Sequence, residues 1–176
     1  MRRINPIQSP EETRAMFDDA PQKCRDTPAA GQVARASTSS RGKVLVVDDE
    51  LAVVRVYARA LGADGYQVFT ATDGDTAELM FRKCAVDAVV TDIAMPGKDG
   101  IGLLRAMRRI DRDVPVILAT GDHDEASARR AVEEGAFMLL VKPVDLRALG
   151  QMVGHATLLR QLGKLAREAR DPPSTP

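Results

Sequence analysis

Asp48-Asp49, Asp92, Thr120 and Lys142 each stand directly after a short apolar run, at residues 44–47, 88–91, 116–119 and 137–141. Carboxylates, a hydroxyl and an ammonium in such positions are groups that can hold a cation and handle a phosphate. Two carboxylates about 4 Å apart repel by roughly 4 kcal/mol at a surface-like dielectric. A fold that gathers three of them needs a proton or a cation to hold the cluster. All-oxygen ligation with few protein ligands and retained water is the preference of Mg²⁺. Asp49 and Asp92 are the expected direct ligands, with Asp48 close by or acting through water. Taken singly, each Asp reads as well as a helix cap or a turn residue, because strand-to-helix loops favour Asp. The case rests on their occurring together, with Thr and Lys included, at four strand ends.

The elements that must position these groups begin at Lys43, where short apolar runs start to alternate with longer amphipathic stretches. Strands are expected at 44–47, 67–71, 88–91, 116–119 and 137–141. Helices are expected at 51–63, 73–84, 100–109 and 124–134, and again after a cap at Asp145. In the first helix Val53, Val54, Tyr57 and Leu61 share one side, with Arg55 and Arg59 opposite. Most strands are aliphatic throughout, the pattern of parallel strands buried on both faces by crossover helices. Right-handed crossovers leave an α/β, five-stranded, doubly wound parallel sheet as the natural solution. In such sheets function collects outside the carboxyl ends of the strands, near the switch point. Strand order 2-1-3-4-5 makes strands one and three neighbours and brings Asp48, Asp49 and Asp92 together.

With 176 residues the chain has room for one ordinary domain and some excess. At 44% hydrophobic and 3% aromatic, with no Trp, its core must be aliphatic. Twenty-five basic and 25 acidic residues cancel, so nothing calls for a nucleic-acid or membrane partner. Cys24 and Cys84 read as reduced thiols of a cytoplasmic protein. Arg2-Arg3 is followed by no apolar region and is not an export signal. Residues 1–42, with Pro6, Pro10, Pro21 and Pro28, read as a disordered tail, with a short helix at 10–18 capped by Ser9 as a local option. The folded domain is placed at 43–157, and 158–176 is read as an extension of the last helix with a short tail. That helix would hold about 25 residues and span roughly 37 Å, longer than one sheet face needs. Its apolar stripe through Leu162 fits a dimer seam or the start of a linker to another module, although Gly150, Gly154 and Gly163 weaken it. Arg105, Arg108 and Arg109 read as a solvated helix face.

Four segments in order, Val46-Val47-Asp48-Asp49-Glu50, Asp92-Ile93-Ala94-Met95-Pro96-Gly97-Lys98-Asp99-Gly100, Ala119-Thr120-Gly121 and Val141-Lys142-Pro143, resemble the receiver domains of bacterial two-component response regulators. The resemblance covers residues 43–157. It implies a flavodoxin-like α/β/α fold, and Asp92 as acceptor of a phosphoryl group from a sensor histidine kinase or phosphotransfer protein. It also implies Mg²⁺ on Asp48, Asp49, Asp92 and the backbone carbonyl of Ala94. Lys142 would answer the charge of Asp92 and then of the phosphoryl group, and Thr120 would bond the phosphoryl and draw its loop inward, with the small Gly121 beside it. A cis Lys142-Pro143 bond would aim the lysine. Such a chain is not an enzyme in the ordinary sense but assists its own phosphorylation and dephosphorylation. It switches the binding of a downstream protein, with a homodimer through the fourth or last helix as a further expectation. The sequence suits both a stand-alone receiver and the front end of a longer regulator.

One position departs from the pattern. Many receivers carry an aromatic three residues before the lysine, where this chain has Leu139; Phe137 lies two positions earlier and reads as core packing. Two rival functions follow from the same residues. A receiver fold could serve as a binding module without phosphorylation. A haloacid-dehalogenase-like phosphatase also uses Asp, Mg²⁺, Thr and Lys, but needs a D-x-D motif after the first strand, where this chain has adjacent Asp48-Asp49.

Overall fold

Val44, Leu45, Val46 and Val47 are buried on both sides of the strand they form, as are residues 88–92 and 116–120. Only helices on both faces can cover a sheet of that composition. The structure, a computed structural model, describes residues 40–121 and 125–170. Its elements run β1 (Lys43–Val47), α1 (Leu51–Ala63), β2 (Gln67–Ala71), α2 (Gly74–Lys83), β3 (Ala88–Asp92), α3 (Gly100–Ile110), β4 (Val116–Thr120), α4 (Glu125–Glu133), β5 (Met138–Val141) and α5 (Leu146–Arg170). All strand pairs are parallel, and the sheet order is β2-β1-β3-β4-β5. The expected alternation and order are therefore present, with element ends within a residue or two of the sequence reading. The short helix expected at 10–18 and nearly all of the expected tail lie outside the described residues.

Helix starts follow the Asp positions. The carboxylate of Asp73 accepts the Thr76 N–H at 2.8 Å, Asp99 accepts that of Gly102 at 2.6 Å, and Asp145 accepts that of Ala148 at 2.9 Å. Each satisfies a donor that the first helical turn leaves open. Helix α1 ends on Gly65, whose φ of 91° closes the turn and lets the Tyr66 N–H reach the Leu61 carbonyl at 3.1 Å.

One core cluster joins Val44, Val46, Ala88, Val90 and Ile117 of the sheet to Tyr57 and Leu61 of α1 and Leu149, Val153 and Ala156 of α5. Phe137 lies just ahead of β5 and packs against this cluster, in keeping with the core reading. β5, at the sheet edge, is the least covered strand: Met138 and Val141 are 39% and 46% exposed.

Two side-chain expectations change. Arg108 is not part of a solvated face: its guanidinium bonds the carbonyls of Arg112, Val114 and Gly135 and ties α3 to the loops before β4 and β5. A planar fork with several donors suits that bolt better than an exposed charge. Cys84, buried at the end of α2, is disulfide-bonded rather than a reduced thiol; Cys24 lies outside the described residues.

Candidate functional site

β1 and β3 are adjacent and in parallel register, Val47 opposite Thr91, so the residues that follow them emerge side by side. Asp48, Asp49 and Asp92 each offer a carboxylate oxygen within 4.8 Å of the others. Asp48 is fully buried and Asp92 is 6% exposed, whereas Asp49 faces solvent. On the other side of β3, β4 pairs with β5, and the Lys142 N–H donates to the Thr120 carbonyl at 2.7 Å. This bond sets the turn from which the lysine side chain returns over the strand ends.

Lys142 lies between the acids. Its Nζ is 2.8 Å from Asp48 Oδ2 and 3.1 Å from Asp92 Oδ2. Burial alone would pull the ammonium below its ordinary range, but its bonds to Asp48 and Asp92 outweigh this and hold it above the usual lysine value. Asp48 is further fixed by the Glu50 N–H, which donates to its Oδ1 at 2.9 Å. Asp92 Oδ1 is buried and has no hydrogen-bond partner. A buried carboxylate oxygen left open is costly unless something binds it. An all-carboxylate donor set with that open oxygen and one solvent-facing member fits a hard divalent cation that keeps water in its shell.

The loop after β3 is held tightly from beneath. The Gly100 N–H donates to the Ile93 carbonyl at 3.0 Å, and a Cβ at Gly100 would fall 2.1 Å from the backbone oxygen of Asp92. Only glycine allows α3 to start so close to Asp92. Gly74 has a related role, since a Cβ there would lie 2.5 Å from the Lys98 carbonyl. The Lys98 ammonium bridges to Asp75 and Glu78 of α2, each at 2.6 Å. Nothing in the local sequence pattern singles out Gly74 or Lys98 for these contacts. Their signal exists only in three dimensions, because the loop and α2 are distant in the chain.

All expected strand-end residues reach this edge. Asp48, Asp49, Asp92 and Lys142 converge, and Thr120, 8% exposed, ends the neighbouring strand. Ala94 is exposed two residues beyond Asp92. The Lys142-Pro143 peptide is cis. Gly121 needs no steric argument: a Cβ there would meet open space, and its φ is not in the left-handed region. Leu139 is half-buried on β5.

Residues 44–154 match the family described as the response regulator receiver domain. The chain is similar to the regulatory protein AtoC of Escherichia coli (strain K12), 36% identical over 133 residues, covering 76% of this chain and 29% of that protein. It is also similar to the transcriptional regulatory protein PrrA of Mycobacterium bovis, 38% identical over 124 residues, 70% of this chain and 52% of that one. It thus spans about half or less of the length of these curated relatives. Among solved structures, a response regulator receiver domain protein from Clostridium thermocellum superposes with a TM-score of 0.65 at 34% identity, covering 68% of this chain and 97% of that one.

Proposed function

Because the chain belongs to the response regulator receiver family, we propose that it accepts a phosphoryl group on Asp92 and thereby switches its binding to a downstream protein. The observation that carries this reading is the open Oδ1 of Asp92 beside two further carboxylates, with Lys142 in contact with Asp48 and Asp92. The donor is a phosphohistidine of a sensor histidine kinase or phosphotransfer protein. An Asp92 oxygen forms the new P–O bond as the P–N bond to the imidazole breaks, leaving an acyl phosphate on Asp92 and a histidine on the donor. Phosphoryl transfer asks the protein mainly for alignment and charge neutralisation.

Mg²⁺, held by Asp49 and Asp92 with Asp48 close by and the Ala94 carbonyl as a further oxygen, would neutralise the phosphoryl oxygens. Lys142 then shifts its contact from Asp92 to the phosphoryl group, a compact charge on a flexible stem. Thr120 hydrogen-bonds the phosphoryl group and carries its loop inward. In this way the chain's own residues assist both gain and loss of the phosphoryl group, without acting on another substrate. Self-association through α4 or α5 is a further outcome to be expected. A cytoplasmic site of action fits this role; among the described residues no helix is long and apolar enough to cross a membrane. PrrA of Mycobacterium bovis is named as a transcriptional regulatory protein.

Beryllofluoride with Mg²⁺, a mimic of the phosphoryl group, tests the reading. Amide shifts are expected around Thr120 and across α4 in the native chain and absent in Asp92→Asn. Leu139 in place of an aromatic favours one alternative, a receiver fold that binds partners without phosphorylation. A native chain showing no shifts would overturn phosphorylation-dependent switching.

A further inference from the structure

Arg108, Arg112, Arg160, Lys164 and Arg167 line one cavity of about 480 Å³, where Asp113 is the one carboxylate among the described residues. Arg108 belongs to the last turn of α3, Arg112 to the loop before β4, and the other three to the second half of α5. The cavity therefore sits at the amino ends of the strands, at the far end of the sheet from Asp92. Arg160 pairs with Asp111, Lys164 with Asp87 at 2.7 Å, and Arg167 with Asp113. Arg108 is bonded to carbonyl oxygens and to no carboxylate among the described residues. The Arg112 guanidinium is exposed and makes no ion pair among them. In the adjoining cleft Glu133 and Glu134 are balanced by Arg109 and Arg105, the last bound to Glu134 at 2.6 Å. Two positive charges are thus left over at one concave surface.

Arg160 adds an independent sign. Its side chain is only 9% exposed, and its two terminal nitrogens hold Asp111. Its Nε, buried in the same wall, has no hydrogen-bond partner. A buried charged donor without an acceptor is costly until one arrives. We propose that this cavity binds a small organic phosphate. Guanidinium groups are offered from two separate elements, α5 and the loop before β4. Such a set suits an anion with three acceptor oxygens better than a planar carboxylate, which one guanidinium can satisfy. The volume is several times that of a bare phosphate ion and lies in the range of small-molecule sites. Val114, Phe137, Ala156 and Leu159 supply an apolar wall against which an organic body can lie. The site shares no residue with the carboxylate cluster and does not depend on phosphoryl transfer to Asp92.

Phenylphosphonate is a suitable probe, because it joins a phosphate-like group to an aromatic body and has no leaving group with which to phosphorylate Asp92. Titrated into the full chain without added metal, it should shift the amides of Val114, Gly135 and Phe137 saturably. Inorganic phosphate should bind at least about tenfold more weakly, since it leaves the apolar wall uncovered. Arg112→Gln and Arg160→Lys should each weaken phenylphosphonate by at least about tenfold. The second variant keeps a cation for Asp111 and removes the Nε donor. Arg55→Gln on α1 and Asp92→Asn should bind like the wild type, the latter separating this result from the phosphorylation reading. Circular dichroism checks that each variant is folded, and the exposed, unpaired Arg112 can be replaced without disturbing a contact. Absence of saturable shifts in the wild type would overturn the proposal. So would equal affinity for the two anions, unchanged binding in Arg112→Gln, or an equal loss in Arg55→Gln.

Discussion

Lys142 contacts two carboxylates that would otherwise repel each other, and Asp92 keeps one oxygen open. A group poised this way responds to any added cation. Mg²⁺ is expected to stabilise the folded chain by about 1.4 kcal/mol at ten times its dissociation constant, read as a rise in melting temperature that Asp49→Ala abolishes. Replacing Lys142 with Met leaves Asp48 and Asp92 facing each other with no ammonium between them. That variant should lose about 1–3 kcal/mol in metal-free urea unfolding, and added Mg²⁺ should restore part of the loss. Beneath the same carboxylate, Gly100→Ala would drive a methyl group toward the Asp92 carbonyl. A cost of about 2–3 kcal/mol is expected, together with loss of the beryllofluoride shifts, because the backbone carrying Asp92 must move. Normal stability in Gly100→Ala would contradict the close approach.

Helix α5 is joined to the domain by apolar packing and then by ion pairs, and the second kind depends on pH. Burial alone raises the Asp87 carboxyl, but the Lys164 ammonium and the Lys43 N–H more than reverse this and hold it below its ordinary 3.8. Asp111 behaves alike: burial raises it, while the Asp113 N–H and Arg160 bring it below 3.8. A carboxyl depressed in the folded state contributes stability that is present above its unfolded value and lost as pH falls through its folded value. The contribution should therefore be complete at pH 5 and decline below about pH 4. Urea unfolding of Asp87→Asn/Asp111→Asn should show a shallower fall across this window than the wild type. An unchanged acid slope would mean that these pairs do not hold the helix.

On the scale of the molecule, the residues of the candidate site lie at the carboxyl ends of the strands, while the ion pairs of α5 engage segments at their amino ends. The two can therefore be separated. A chain ending after Thr157 should remain folded and keep the beryllofluoride response but lose about 3–5 kcal/mol, because the Arg160–Asp111 and Lys164–Asp87 pairs are partly buried and only Arg167–Asp113 is exposed. Failure of the shortened chain to fold would show that the extension is part of the domain core.

Much of this was legible in the residues themselves. Short aliphatic runs alternating with amphipathic stretches read as parallel strands buried by crossover helices, so the fold class followed from local pattern and handedness, and the strand order taken with it is the one the sheet has. The groups at the strand ends followed in turn, because a parallel sheet places all its carboxyl ends on one edge. What local pattern could not do was separate one Asp from another. Asp73, Asp99 and Asp145 cap helices, while Asp48, Asp49 and Asp92 converge, and the residue type is the same in each case. Nor could it reveal Gly100 beneath Asp92, Lys98 bound to α2, Arg108 turned inward, or the ion pairs of Arg160, Lys164 and Arg167 with the loops before β3 and β4. Each depends on the approach of segments far apart in the chain. Periodicity reports which face of an element is apolar; only the packed structure decides what that face meets.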